Sequence, residues 1–72
     1  MRELLESRNW YLHSQCSCDG THRQTFKTNR FPEWEIVIAP SKGSAIIKRN
    51  NISKGSAKSE TLEAKLKEYE IY

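Results

Sequence analysis

The sequence predicts one small α+β domain: a four-stranded antiparallel sheet made of two hairpins, with a short N-terminal helix and a C-terminal helix packed on one face. Three observations support this prediction. The first two are the alternating β-favouring segments in the middle of the chain and the helix-forming segments near both ends. The third is the length of 72 residues, which suffices for a single core. We therefore expect residues 1–72 to form one domain, which excludes a multidomain enzyme.

The N-terminal half predicts a helix followed by a hairpin. Residues 2–8 are mostly strong helix formers. Aromatic and β-favouring residues then predict strands over 10–18 and 22–29, joined through Asp19-Gly20, which is a strong hairpin signal. Pro32 interrupts the pattern because proline removes a ladder donor, so the chain is expected to cross there to a new strand.

The second predicted hairpin has strands over 34–39 and 44–50, joined by a four-residue loop that begins with proline and ends with glycine. If Ala39 faces Ser44, the further pairs are Ile38 with Ala45, Val37 with Ile46, Ile36 with Ile47, Glu35 with Lys48 and Trp34 with Arg49. The shared core face is then made of Ile36, Ile38, Ala45 and Ile47. Beside it, Arg49 is expected in cation–π contact with Trp34. On the other face, Glu35 and Lys48 are expected to form a cross-strand charge pair.

The last part of the chain predicts a loop and a helix. Residues 51–58 are polar and contain glycine, so we expect a loop there. Ser59 is a suitable N-cap for a helix over 59–69. The apolar stripe of this helix consists of Leu62, Leu66 and Tyr69, and Glu63 with Lys67 is the expected ion pair on its exposed side. So narrow a stripe is typical of a helix that lies across one face of a sheet.

The positive charge of the chain is concentrated in its middle. The formal net charge is +3, but residues 23–58 alone carry +6, whereas residues 1–22 carry −1 and residues 59–72 carry −2. We call residues 23–58 the basic central segment. Such a segment indicates a polyanionic partner, because Lys and Arg neutralise phosphates.

The basic central segment also contains aromatic residues, and a nucleic-acid surface needs both cations for phosphates and rings on which unpaired bases stack. The predicted nucleic-acid-binding residues are Lys27, Arg30, Trp34, Lys42, Lys48, Arg49, Lys54 and Lys58. Phe31 and Tyr11 are further aromatics nearby. The alternative is a solvated basic surface that keeps a small domain soluble.

Both cysteines and both histidines lie close together in sequence, as His13, Cys16, Cys18 and His22. Thiolate and imidazole are the ligands that tetrahedral zinc prefers, so these four residues are the candidate zinc ligands. The spacing argues against the site, because only one residue separates the cysteines and because His13 leaves a regular strand on the opposite face from both of them. We expect no metal and no other cofactor.

Two registers of the first hairpin are open. A loop of two or four residues turns Cys16 and Cys18 toward Thr21, Arg23 and Lys27. A loop of three residues, which we favour, instead collects Trp10, Leu12, Cys16, Cys18, His22 and Phe26 on one apolar face, with the cysteines as small buried hydrophobes. A disulfide between the cysteines is not expected, because residues i and i+2 of a strand are about 6 to 7 Å apart at their Cα atoms.

A histidine on an exposed strand in a basic surface also suggests acid–base catalysis on a phosphodiester. The stretch Gly20-Thr21-His22, with helix-like segments at 3–6 and 61–67, resembles the HicA family of small messenger RNA interferases. That family runs helix, three strands, helix and carries a Gly-Ser-His stretch. By this resemblance His22 would be the catalytic residue of a small endoribonuclease. The chain departs from the family by a second complete hairpin over 36–48.

The function that the sequence favours is a small non-enzymatic interaction module whose basic central segment binds a polyanion, most plausibly nucleic acid. One alternative is a structural or assembly subunit that completes its core against a protein partner or a second copy, because the chain has few large apolar residues. The other is the HicA-like nuclease. The sequence has no long apolar run, so we expect a cytoplasmic protein without membrane contact.

Overall fold

The computed structural model of the protein describes residues 1–16 and 22–72. Its elements in chain order are α1 (Arg2–Ser7), β1 (Tyr11–Cys16), β2 (Arg23–Lys27), β3 (Trp34–Ala39), a 3-10 turn (Pro40–Lys42), β4 (Ser44–Arg49), β5 (Ile52–Lys58) and α2 (Leu62–Glu68). The strands form one antiparallel sheet in the order β1-β2-β3-β4-β5. The predicted α+β class is confirmed, although the described residues form five strands rather than four.

The additional strand is β5, and the prediction of a loop over 51–58 is therefore wrong. A two-residue turn, Asn50-Asn51, joins β4 to β5, and both asparagines have positive φ, at 53° and 67°. Positive φ at both central residues is what a tight hairpin turn of matching twist requires, and asparagine tolerates it better than most residues. The turn thus returns a polar segment to pair along β4.

The predicted register of the second hairpin is confirmed at all six positions. Ala39 faces Ser44, and the pairing continues to Trp34 opposite Arg49. The pleat therefore separates the side chains of β3 and β4 as predicted, with alternate residues on opposite faces. Glu35 and Lys48 are Cα partners on the face opposite the core, although they are not among the ion pairs of the described residues.

One face of the sheet carries the core. The buried apolar residues are Leu5, Trp10, Phe26, Ile36, Ile38, Ala45, Ile47, Ala57, Leu62, Leu66 and Ile71, and they form one cluster. Both helices contribute to this cluster, so α1 and α2 cover the same face. We call it the covered face. None of the described helices is long and apolar enough to cross a membrane.

The start of α2 differs from the prediction. The helix begins at Leu62 with Thr61 as its N-cap, not at Ser59. The hydroxyl of Thr61 accepts a hydrogen bond from the backbone N–H of Lys58 at 2.9 Å, which closes a turn just after β5. Because β5 extends to Lys58, Ser59 lies in that turn and cannot cap the helix. The predicted stripe is confirmed, with Leu62 and Leu66 fully buried and Tyr69 partly buried.

Both helices end in the same way, with a left-handed residue followed by a buried apolar one. Asn9 (φ 69°) follows α1 and Glu70 (φ 60°) follows α2. The next residues, Trp10 and Ile71, donate backbone hydrogen bonds of 2.9 Å to Leu5 and to Leu66, respectively. This is the Schellman arrangement, in which glycine is the usual left-handed residue. It anchors each helix end to the core.

Glu70→Gly is therefore expected to stabilise the protein by about 0.5–1 kcal/mol. Glycine adopts the left-handed conformation without the steric cost that an L-residue has there, although the greater conformational entropy of glycine in the unfolded chain offsets part of this gain. Glu68→Gly, inside α2, is the matched control and is expected to destabilise by about 1 kcal/mol. Urea unfolding of both variants measures the two changes. A loss of stability in Glu70→Gly would contradict the strain argument.

Candidate functional site

The second face of the sheet is not covered by either helix. Register places on it the following strand residues: Tyr11, Ser14 and Cys16 of β1; Arg23, Thr25 and Lys27 of β2; Glu35, Val37 and Ala39 of β3; Ser44, Ile46 and Lys48 of β4; and Ser53, Ser56 and Lys58 of β5. Each of them is partly or fully exposed, whereas the fully buried strand residues all lie on the covered face. We call this second surface the open face.

The open face is positively charged. Among the described strand residues of this face, four are cations, Arg23, Lys27, Lys48 and Lys58, and one is an anion, Glu35. None of the side chains of these four residues makes a hydrogen bond or ion pair with a described residue. Their charged groups are therefore not bonded to any described residue. The charge of Lys58 does act on Glu60, whose pKa is lowered by a backbone hydrogen bond, by the Ser59 hydroxyl and by Lys58.

Register places three of the charged residues in one line across the sheet. Lys27 faces Glu35 on one side, and Glu35 faces Lys48 on the other. The exposed ring of Tyr11 continues this line on β1, as the partner of Lys27. Lys42, in the 3-10 turn, and Lys54, in β5, are exposed cations outside this line.

Trp34 and Arg49 lie on the covered side of the sheet and not on the open face. The predicted cation–π contact is confirmed, with the Arg49 guanidinium carbon 5.7 Å from the centre of a Trp34 ring. Arg49 Nε also donates to Glu33 Oε2 at 2.9 Å. The indole is further packed against the ring of Tyr69, at a centroid distance of 5.5 Å. Trp34 and Tyr69 are partly buried and pack against the core.

The packing of Tyr69 explains a glycine in β5. A Cβ at Gly55 would lie 2.5 Å from the Tyr69 hydroxyl oxygen, which donates a 3.0 Å hydrogen bond to the Lys54 carbonyl. The register shifts between Ile47 and Lys48, so Lys54 is the extra residue of a β-bulge. The bulge exposes the carbonyl that Tyr69 uses.

Arg30 is also engaged within the fold. Its guanidinium donates to the backbone carbonyl of Arg8 after α1 and, at 3.2 Å, to that of Tyr72. It also lies 5.1 Å from the centre of the Phe31 ring. Arg30 thus ties together segments that are distant in sequence, and its charge is not on the open face.

Tyr72 is held by side chains of α2 and by Arg8. Its hydroxyl donates a 2.6 Å hydrogen bond to Glu63, which raises the pKa of Tyr72 because the carboxylate accepts from the neutral phenol. The Arg8 guanidinium lies 4.0 Å and the Lys67 ammonium 4.9 Å from the centre of its ring. The predicted Glu63–Lys67 ion pair is therefore wrong, because both side chains are directed to Tyr72.

In the first hairpin, the favoured apolar register is wrong for the described residues. Leu12 faces Phe26, but the register shifts at His13, and Cys16 faces Arg23 on the open face. The shift adds one residue to β1, so Leu12 and Cys16 point to opposite faces. All residues of β1 are exposed, and β1 is an edge strand of the sheet. Cys16 accordingly is not a small buried hydrophobe.

The expectation that Cys16 does not form a disulfide is also wrong, since this cysteine is disulfide-bonded. That expectation assumed a regular strand, whereas β1 contains a register shift between Leu12 and Ser14. Among residues 1–16 and 22–72, no three His, Cys, Asp or Glu side chains are arranged to hold a metal ion. His13 is exposed at the bulge, and Cys18 lies outside the described residues.

His22 lies directly before β2, is exposed and has a φ of 50°. Gly20 and Thr21 of the HicA-like stretch lie outside the described residues. The five strands between the helices depart from the helix, three strands, helix order that this resemblance implies. Catalysis by His22 and an assembly role remain predictions.

Comparison with protein-family models, with curated proteins and with solved structures finds no match to this chain. The function is therefore inferred from the residues of the open face. Sequence reasoning did not include Arg23 among the binding residues. The sequence contains a signal that identifies it: Arg23 and Lys27 are separated by an even number of positions, so on a strand their side chains point to the same face.

Proposed function

We propose that this protein is a non-enzymatic nucleic-acid-binding module that holds phosphates on the open face of its sheet. The observation that carries the proposal is the set of four cations on this face, Arg23, Lys27, Lys48 and Lys58, whose side chains have no hydrogen-bond or ion-pair partner among the described residues. Cations that are exposed or partly exposed on the surface of a sheet can neutralise phosphates.

The proposal divides the predicted binding residues into two groups. Lys27, Lys48 and Lys58 belong to the open face, and Lys42 and Lys54 extend the positive charge beyond it. Trp34, Arg30 and Arg49, in contrast, make bonds or ring contacts on the covered side or between chain segments. We assign phosphate binding to the cations on and around the open face, and structural roles to Trp34, Arg30 and Arg49. The phosphate-binding residues are Arg23, Lys27, Lys48, Lys58, Lys42 and Lys54.

The test is binding of the full chain to a fluorescein-labelled 20-nucleotide mixed-sequence strand, followed by anisotropy from 50 to 200 mM salt. If all four cations bind phosphates, the logarithm of the binding constant should fall with the logarithm of salt with a slope of about −3. The double variant Lys27→Glu/Lys48→Glu should weaken binding at 50 mM salt at least about tenfold, because two phosphate contacts become repulsive.

The matched control is Lys65→Glu/Lys67→Glu. It changes the net charge by the same amount, but on α2, which packs on the covered face. We expect a much smaller loss of affinity in this variant. Equal losses in the two double variants would show that only the total charge matters, and undetectable binding of the wild type at 50 mM salt would exclude the proposed function.

A further inference from the structure

The middle of the open face is uncharged. Register aligns five residues in one row across all five strands: Ser14, Thr25, Val37, Ile46 and Ser56. Ile46 is 39% exposed although it is a large aliphatic residue, and Val37 beside it is partly exposed. The row therefore offers an apolar centre with hydroxyl groups at both ends. We call it the neutral row.

The cations lie on both sides of the neutral row. Lys27 and Lys48, with Glu35 between them in register, are two residues along their strands in one direction, and Arg23 and Lys58 are two residues along theirs in the other. Two residues of a strand span about 6.8 Å, so the two cationic lines are about 14 Å apart. The open face is thus a positive surface with an apolar centre.

This pattern selects between forms of nucleic acid. A duplex presents phosphates and sugars on its outside and keeps the faces of its bases stacked inside, so it would leave Val37 and Ile46 against a charged backbone. A single strand offers unpaired bases whose apolar faces can cover these side chains while its phosphates reach the lysines. The hydroxyls of Thr25 and Ser56 can bond to base edges.

Tyr11 adds a stacking surface at one end. Tyr11 is 45% exposed and lies opposite Lys27 in register, so a nucleotide stacked on its ring would place its phosphate near the ammonium group. The five strands are about 19 Å across from β1 to β5, at about 4.8 Å per strand. This width suits a short site on the order of four nucleotides.

We infer that the open face binds single-stranded nucleic acid, with the bases over the neutral row and Tyr11 and the phosphates on the flanking cations. This inference rests on the proposed function and names the form of its ligand. It differs from simple polyanion binding because it requires contact with the bases.

The test compares three fluorescein-labelled probes with the full chain at 50 mM salt: a 12-nucleotide thymidine strand, an abasic strand of the same length and charge, and a 12-base-pair duplex. We expect the thymidine strand to bind about tenfold more tightly than either of the others, since only it offers unpaired bases. Equal affinity for the thymidine and abasic strands, or tighter binding of the duplex, would overturn the inference.

Two variants locate the base contacts. Tyr11→Ala and Ile46→Ala are each expected to weaken binding of the thymidine strand about fivefold and to leave binding of the abasic strand unchanged, with circular dichroism confirming that both variants fold. If both variants bind the thymidine strand like the wild type, the bases do not lie on this row and the inference fails. Binding of all three probes with equal affinity would leave phosphate binding standing, whereas binding of none would exclude both proposals.

Discussion

Ile47→Ala is expected to lower the free energy of unfolding by about 3–4 kcal/mol, whereas Ile46→Ala, the same change at the preceding residue of β4, should lower it by less than about 1 kcal/mol. The two side chains point to opposite faces of the sheet. Ile47 is 0% exposed and packs in the core, so its truncation leaves a cavity. Ile46 is 39% exposed on the open face, so water can fill the space that it leaves.

Urea unfolding of both variants measures this difference. A domain of 72 residues is expected to have a total stability of roughly 4–11 kcal/mol, so Ile47→Ala should leave a protein that unfolds at a much lower urea concentration. The pair controls for residue type, strand and the number of atoms removed. Equal losses would mean that both faces of the sheet are buried, which would also remove the surface on which binding is proposed.

The second hairpin shows how far sequence can determine fold. On both strands the aliphatic residues form a continuous run, over 36–39 and over 45–47, and the predicted register is favoured because it also places Glu35 opposite Lys48, where opposite charges attract. A loop with proline at its start and glycine at its end adds a second constraint on the same register. Because both constraints agree, all six pairs could be predicted.

The elements that escaped prediction lack such agreement. The strand β5 contains serines, lysines and a glycine, and only Ala57 of this strand is fully buried. This strand forms because the Asn50-Asn51 turn returns the chain to pair with β4. As a sequence signal for a hairpin turn, Asn-Asn is weaker than Asn-Gly. In β1, the bulge at His13 reverses the faces of all later residues, and periodicity alone does not reveal an inserted residue.

The charge pattern predicted a basic surface but not which of the cations belong to it. Alternation along a strand could have separated Lys48 from Arg49, because neighbouring residues point to opposite faces. It could not show that Arg49 is paired with Glu33, since that contact joins positions 16 residues apart. Arg30 presents the same difficulty, because its partners are carbonyl groups that lie 22 and 42 residues away in sequence.

Arg30→Ala provides the sharpest test of this division of the cations. We expect it to destabilise the protein by about 1–2 kcal/mol, because it removes two charge-assisted hydrogen bonds, and to leave nucleic-acid binding of the folded protein nearly unchanged. Arg23→Ala removes the same side chain from the open face, where it makes no bond with a described residue. This variant should change stability by less than about 0.5 kcal/mol and weaken binding severalfold.

Both variants are measured by thermal unfolding and by anisotropy with the 20-nucleotide strand at 50 mM salt. For a domain of this size, the loss in Arg30→Ala corresponds to a fall in Tm of roughly 4 to 16 °C. Binding is measured well below the lower Tm, so that unfolding does not imitate weak affinity. If Arg30→Ala weakens binding as much as Arg23→Ala does, Arg30 belongs to the nucleic-acid surface, and the separation of structural from ligand-binding cations is incorrect.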